Sequence, residues 1–423
     1  MKILAVSLGV PGHLTPILAA ATMLSSHHDV CVLACGELGA MVHASGLAFI
    51  PEPAESSTFV GRFINSQPYF LQLEPGIEQL RFGLRNYIAA NIPVQAANIA
   101  RVLETFPADV ILADSFFFGT LPMLLGPRDK RPAIAHLGIS VLNVHSGEGI
   151  PPLSEISAAQ QTADRICYQR DLLDPVQMAF NQALAEYDVE ALDVPAMQSL
   201  SILSDLYIHP GVGSFEYPHT SSNVHFIGRL PMAAAEVPLP DWWNDLDHTK
   251  HIVLVTQGTI ANRDFNQLIG PTLMGLANES DVIVLVTTGG QPLDSIPVAL
   301  PANARAAEFL PFEAIFPYID LLVTNGGYGT VNLALAHGIP IVAAGLSEDK
   351  GEVSAHVQWA GVGIDMRTTF ARAEDIRRDV RAVLDTPDYR TRAQEIAKDF
   401  AARDAKASLL DLIAQFDLKQ NML

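Results

Sequence analysis

The chain has 423 residues, 49% of them apolar, and 46 acidic against 26 basic side chains give it a formal charge of −20. That length exceeds one ordinary core, so two domains are the default. The charge argues against nucleic acid or an anionic membrane as partner, since both reward clustered Lys and Arg, and any anionic ligand must be held by local backbone dipoles.

The chain opens with KILAVSL, a strand pattern. Lys2 and the apolar run after it superficially resemble a secretory signal, but Pro11, Gly12, His13 and Pro16 interrupt the run, so strand, loop and helix is the expected order. DVCVLAC, DVILAD and PAIAHLG follow as further parallel strands buried on both faces. Helical patterns run from Thr15 to Ser25 and from Ile88 to Thr105, and the region from Ile150 to Met197 reads as mainly helical. The stretch from Gly228 to Thr249 is rich in Pro and small residues without sustained periodicity, which predicts a linker. The pattern then restarts with HIVLVTQGT, DVIVLVTTGG, a short apolar piece at Arg305 to Phe309, LLVTNGG and IPIVAAG. Two β/α halves joined by one linker predict an α/β chain of two Rossmann-like domains facing a cleft. The expected division is residues 1–228, a linker at 229–249, a second domain at 250–395, and a C-terminal helix at 396–423 that crosses back to the first domain. No other segment reaches the roughly 18 apolar residues of a membrane-spanning helix. Cys31, Cys35 and Cys167 form no disulfide framework, which suits a reducing cytoplasm.

The stretch from Val323 to Gly363 is the most informative. A buried strand ends at Thr324, a loop carries Gly326, Gly327 and Gly329, and an apolar helix runs until Gly338 and Pro340 stop it. Such a turn lets backbone N–H groups approach an anion at the positive end of a helix dipole, so the predicted ligand is a phosphate or diphosphate. Tight turns without a ligand would also use these glycines.

With these motifs in place, the chain resembles the GT-B glycosyltransferases, and within them the inverting UDP-glycosyltransferases that decorate lipophilic small molecules. The likeness covers nearly the whole chain. The family's donor motif has the form His-Gly-Gly-x-Gly-Thr/Ser, then an acidic residue before Ala-Leu, then Gly-x-Pro, then Asp-Gln. This chain keeps Gly326, Gly327, Gly329, Thr330, Ala334, Gly338, Pro340 and Asp349, with Tyr328 inside the turn. It departs at Asn325, where a diphosphate-binding His is usual, at Leu333, where an acidic residue holds the ribose, and at Lys350, where Gln is usual. Asn325 can still donate through its amide, Asn332 neighbours the lost ribose contact, and Asp349 and Lys350 stand where the family touches the donor sugar. The resemblance also implies donor contacts from Gly12, from Gly258 and Thr259 in VTQGT, and from Phe309 and Pro311 in EFLPFEAIF. There the family's aromatic lies near the uracil ring, although core packing would equally explain Phe309.

His13, in PGHLTP, is placed in the loop after the first strand, and Asp114 ends a later parallel strand. Strand ends on one edge of a parallel sheet converge, so their separation in sequence does not prevent contact. From spacing alone either residue serves equally as a helix cap. The resemblance implies that His13 is the general base and that Asp114 orients it. A neutral imidazole with a pKa near 6.5 accepts a proton at physiological pH, and a carboxylate on one ring nitrogen fixes its tautomer. Phe116 and Phe117 are candidates for an apolar acceptor pocket, with helix-core packing as the alternative. Asp245-Leu246-Asp247 resembles a metal-binding Asp-x-Asp, but its place in the linker favours a solvated loop.

The implied activity is transfer of a hexose, from UDP-glucose first among donors, to a hydroxyl of a small lipophilic acceptor, without metal or other cofactor. The protein would act as a monomer or weak homodimer. Two other functions stay open: an auxiliary homologue partnering a transferase, and a nucleotide-sugar epimerase of the same fold.

Overall fold

The computed structural model describes residues 1–73, 76–142, 167–219, 221–231, 237–259 and 262–420. The predicted helical region at 150–197 falls partly outside them, at 150–166, and so does the linker at 232–236. The chain divides into two units, one of Met1–Pro210, Pro218–Pro231 and Asp404–Leu423, the other of Gly211–Tyr217 and Met232–Arg403.

The first unit is built on a parallel sheet whose strands are β1 (Lys2–Val6), β2 (Asp29–Ala34), β3 (Ala48–Pro51), β4 (Val110–Asp114), β5 (Ala133–Leu137), β6 (Leu206–His209) and β7 (Val224–Phe226). Their order is β3-β2-β1-β4-β5-β6-β7. β1, β4 and β5 are apolar on both faces because helices cover both sides. On one side helix α1 (Pro11–Leu24) packs Leu14, Ile17 and Leu24 into the same core as Leu409, Ile413 and Phe416 of the C-terminal helix Ala405–Gln420. On the other side helix α2 (Ile92–Thr105) contributes Ile99 and Val102.

α1 begins at Pro11, four residues before the expected start at Thr15, so Gly12 and His13 lie in its first turn rather than in a loop. Pro11 has no N–H to leave unsatisfied and carries a helical φ, which suits the first helical position. Pro16 sits inside the helix and removes the bond that its missing N–H would have given the Gly12 carbonyl. α2 proper starts at Ile92, but the chain is already helical across the expected start at Ile88, as a π-helical turn at Leu84–Ile88 and a 3-10 turn at Ala89–Asn91.

The second unit repeats the plan with β8 (His251–Thr256), β9 (Val282–Thr287), β10 (Ala304–Ala307), β11 (Leu321–Thr324), β12 (Ile341–Ala343) and β13 (Gly363–Asp365), in the order β10-β9-β8-β11-β12-β13. All registered pairs in both sheets are parallel. Helix α3 (Tyr328–Ala336) leaves β11 and helix α4 (Lys350–Trp359) leaves β12. At the sheet edge a Cβ on Gly363 would stand 1.8 Å from the Ile341 carbonyl oxygen. Gly363→Ala should therefore destabilise the second unit by about 1–3 kcal/mol through overpacking. A thermal melt checks this, and an unchanged Tm would contradict the β12–β13 register. Among the described residues, no helix is long and apolar enough to cross a membrane.

Candidate active site

In the first unit the chain runs outward from β1 through β2 to β3, then returns to β4 on the other side of β1. The gap between the carboxyl ends of β1 and β4 is therefore the topological switch point, where open α/β sheets bind ligands. β1 leads into α1 and His13; β4 ends in Asp114. His13 Nδ1 lies 3.2 Å from Asp114 Oδ1. Asp114 is fully buried and accepts two backbone hydrogen bonds as well, from Leu8 N–H at 2.5 Å and Phe116 N–H at 2.7 Å. Burial alone would raise its carboxyl pKa, but the His13 charge and the bonds from His13, Leu8 and Phe116 outweigh it and hold the pKa below the ordinary value. An ionised carboxylate only accepts, so Nδ1 carries the proton and Nε2 remains the basic nitrogen. The half-buried Phe116 meets the His13 ring edge-on, with centroids 5.4 Å apart.

Phe117 does not join them. It is buried with Val6, Ile111 and Val102 in the core between sheet and α2, so its ring is not available to an acceptor. The turn after β4 sends successive aromatics to different sides, and only Phe116 stays beside His13. Gly12 is exposed next to His13.

The second unit has its switch point between β8 and β11. Gly258 and Thr259 follow β8, and the glycine turn follows β11. Asn325 ties the two turns together, its Nδ2 donating to the Gln257 carbonyl at 2.7 Å. Gly326 has φ +87°, and a Cβ there would meet Ser354 Oγ at 2.9 Å and the Lys350 carbonyl at 3.1 Å, so glycine is demanded by both conformation and space. The N–H of Gly258 bonds Thr256 Oγ1 at 3.1 Å, and that of Gly326 bonds Thr324 Oγ1 at 3.3 Å. Those two amides therefore serve the turns themselves. The first turn of α3 has no side-chain cap and places Tyr328, Gly329 and Thr330 at its start, so its backbone N–H groups are the ones suited to an anion. A Cβ on Gly329 or Gly258 would enter open space. Thr259 is exposed and Thr330 half-buried.

Phe309 is 51% exposed and its ring covers Gly290, so it is not a core residue. Pro311 starts the short helix Phe312–Ile315. Asp349 is half-buried at the N-terminus of α4. Lys350 is buried, and its ammonium pairs with Glu348, a residue at φ +57°. The lysine is thus partnered by a carboxylate two residues away. Leu333 is wholly buried, which rules it out as a ribose contact, and Asn332 is also buried. Asp247 accepts from the backbone and hydroxyl of Thr249, the behaviour of a turn residue. Among the described residues no group of His, Cys, Asp and Glu is gathered as a metal site. Sequence reasoning missed Glu216 and His356, buried partners close behind the glycine turn. Glu216 lies in a stretch without periodicity, and its contacts are too remote in sequence for any spacing rule to find.

Comparison with known proteins places these features in context. Residues 272–414 match the family described as erythromycin biosynthesis protein CIII-like, C-terminal domain. The chain is 37% identical over 352 residues to 4'-demethylrebeccamycin synthase of Lentzea aerocolonigenes, a match covering 80% of this chain and 81% of that protein. It is 35% identical over 396 residues to UDP-glycosyltransferase 2 of Phaeomoniella chlamydospora, covering 88% and 86%. The solved structure of CalG4, the calicheamicin glycosyltransferase, resembles it with a TM-score of 0.74 at 17% identity over 98% of each chain, a likeness of fold.

Proposed function

Because the chain belongs to the GT-B natural-product glycosyltransferase family, we propose that it is an inverting enzyme that transfers a hexose, with UDP-glucose as the leading donor, to a hydroxyl of a small lipophilic acceptor. The observation that carries the reading is the hydrogen bond from His13 to a buried Asp114 at the switch point of the first sheet. With Nδ1 committed to the carboxylate, His13 Nε2 takes the acceptor hydroxyl proton as the oxygen attacks the anomeric carbon from the face opposite the diphosphate. The C–O bond to the diphosphate breaks in the same displacement, the sugar inverts, and Asp114 stabilises the imidazolium. The diphosphate gains charge as it leaves, and the uncapped start of α3, with Thr330 and Thr259, is aimed at it. Phe309 offers an exposed ring face to the uracil. In this reading the helix dipole and hydroxyls replace a metal, so turnover should persist in a chelator.

Incubation with UDP-glucose, chelator and a panel of phenolic and alcoholic acceptors tests the reading. The expected product is a β-glucoside by NMR coupling constants. An α-glucoside would contradict the single displacement. A donor altered without any acceptor would identify an epimerase instead.

A further inference from the structure

His356 and Glu216 are 1% and 2% exposed, and neither belongs to the chemistry described above. Glu216 lies in the segment Gly211–Tyr217, which groups with the second unit. Its Oε1 accepts the Tyr328 hydroxyl at 3.1 Å, and its Oε2 stands 3.4 Å from His356 Nε2. His356 Nδ1 is 2.9 Å from the Glu352 carbonyl oxygen and 3.6 Å from the Glu352 carboxylate. Carbonyls and carboxylates only accept, so the ring satisfies both neighbours when both nitrogens carry protons. The geometry is that of a buried imidazolium–carboxylate pair. Tyr328 connects it to the glycine turn, being the first residue of α3. α4, which carries His356, also touches that turn directly, through Ser354 and Lys350 at Gly326.

We propose that Glu216 and His356 are positioning residues that, through the Tyr328 hydroxyl and α4, lock the glycine turn in the shape that binds the donor diphosphate. The proposal rests on the donor-site reading above. Removing a partner of a buried charge exposes the other to its full desolvation cost, so the lock is cooperative. It is also sensitive to pH. The groups facing the His356 ring are Glu216 and Tyr217 from the Gly211–Tyr217 segment, the latter tilted against it with centroids 3.8 Å apart, and Glu352 from its own helix, with Tyr328 beyond Glu216. Burial favours the neutral ring, but the Glu216 carboxylate at ion-pair distance, with Glu352 behind, raises the His356 pKa above the ordinary value. A raised histidine contributes fully below its unfolded pKa and loses that contribution as pH rises through the folded value. Donor affinity should therefore hold on the acid side of neutrality and weaken as the ring deprotonates.

The test uses the full-length protein and its Glu216→Gln and Tyr328→Phe variants. UDP affinity is measured by calorimetry across pH, and amide hydrogen exchange is followed at Gly326 to Val331. Tyr328→Phe removes one hydroxyl and keeps the ring, so it guards against misfolding of the charge variant. Both variants should bind UDP about tenfold more weakly and exchange faster at the turn. In Glu216→Gln the alkaline weakening should move to lower pH. Faster exchange in both variants of a protein that binds neither UDP nor dTDP would uphold the lock and overturn the donor reading. Unchanged exchange and unchanged affinity in both variants, even with a lowered Tm, would overturn the lock.

Discussion

Replacing His13 by alanine should lower turnover by about 10²- to 10⁴-fold, the range that general base catalysis supplies. Affinity for UDP should hardly change, because the proposed donor groups other than Gly12 belong to the second unit. Among the described residues the imidazole is anchored at Nδ1, and a base anchored in this way leaves its other nitrogen for the acceptor proton. The His13 side chain is 21% exposed, so its removal should leave folding intact and the loss should appear in kcat. Equal turnover in the variant would remove His13 from the chemistry. Rescue by added imidazole would strengthen the assignment.

Asp114→Asn should have a comparable kinetic effect for a different reason. The carboxylate accepts from three N–H groups: His13 Nδ1, Leu8 and Phe116. An asparagine offers one oxygen and one NH₂, so its NH₂ must face either Leu8 N–H or the pair formed by His13 and Phe116. In the first orientation a buried donor faces a donor, costing about 1–3 kcal/mol of stability. In the second, the amide also turns His13 to the tautomer that carries its proton on Nε2, where no base is left. Both kcat and Tm should therefore fall. The acid limb of stability should change too. Because the Asp114 pKa is depressed in the folded state, its contribution is present above the unfolded value and lost as pH falls through the folded one. The variant should lack that contribution. A variant with full activity and an unchanged pH–Tm profile would contradict both parts.

The sequence displayed the doubly buried strands clearly, because β1, β2, β4, β5, β8, β9, β11 and β12 each carry an apolar run bounded by turn residues. β6, β7, β3 and β13 were not legible. Each has at most four residues and, unlike the equally short β11 and β12, lies in no longer apolar run that would mark it. The meeting of His13 with Asp114 was foreseeable from strand-end convergence once the family resemblance supplied the roles. Burial was harder to anticipate. Phe116 and Phe117 are adjacent and chemically alike, yet one flanks His13 and the other fills the core. Phe309 went the opposite way, its ring lying exposed over Gly290. The glycines were correctly singled out for backbone shape, but Gly258 and Gly326 give their N–H groups to threonines at their own strand ends. In the proposed donor site, the start of α3 therefore matters more than the glycines as a set. Lys350 read as a donor-sugar contact, whereas its ammonium pairs with Glu348, two residues away in a left-handed backbone conformation that no periodicity rule reports.

The most direct test of the account is a calorimetric titration of the protein with UDP in the presence of a chelator, with dTDP alongside and repeated on Thr259→Ala. The account predicts metal-free UDP binding that Thr259→Ala weakens. No binding of either nucleotide would contradict it and point to an auxiliary protein that has kept the fold without the reaction.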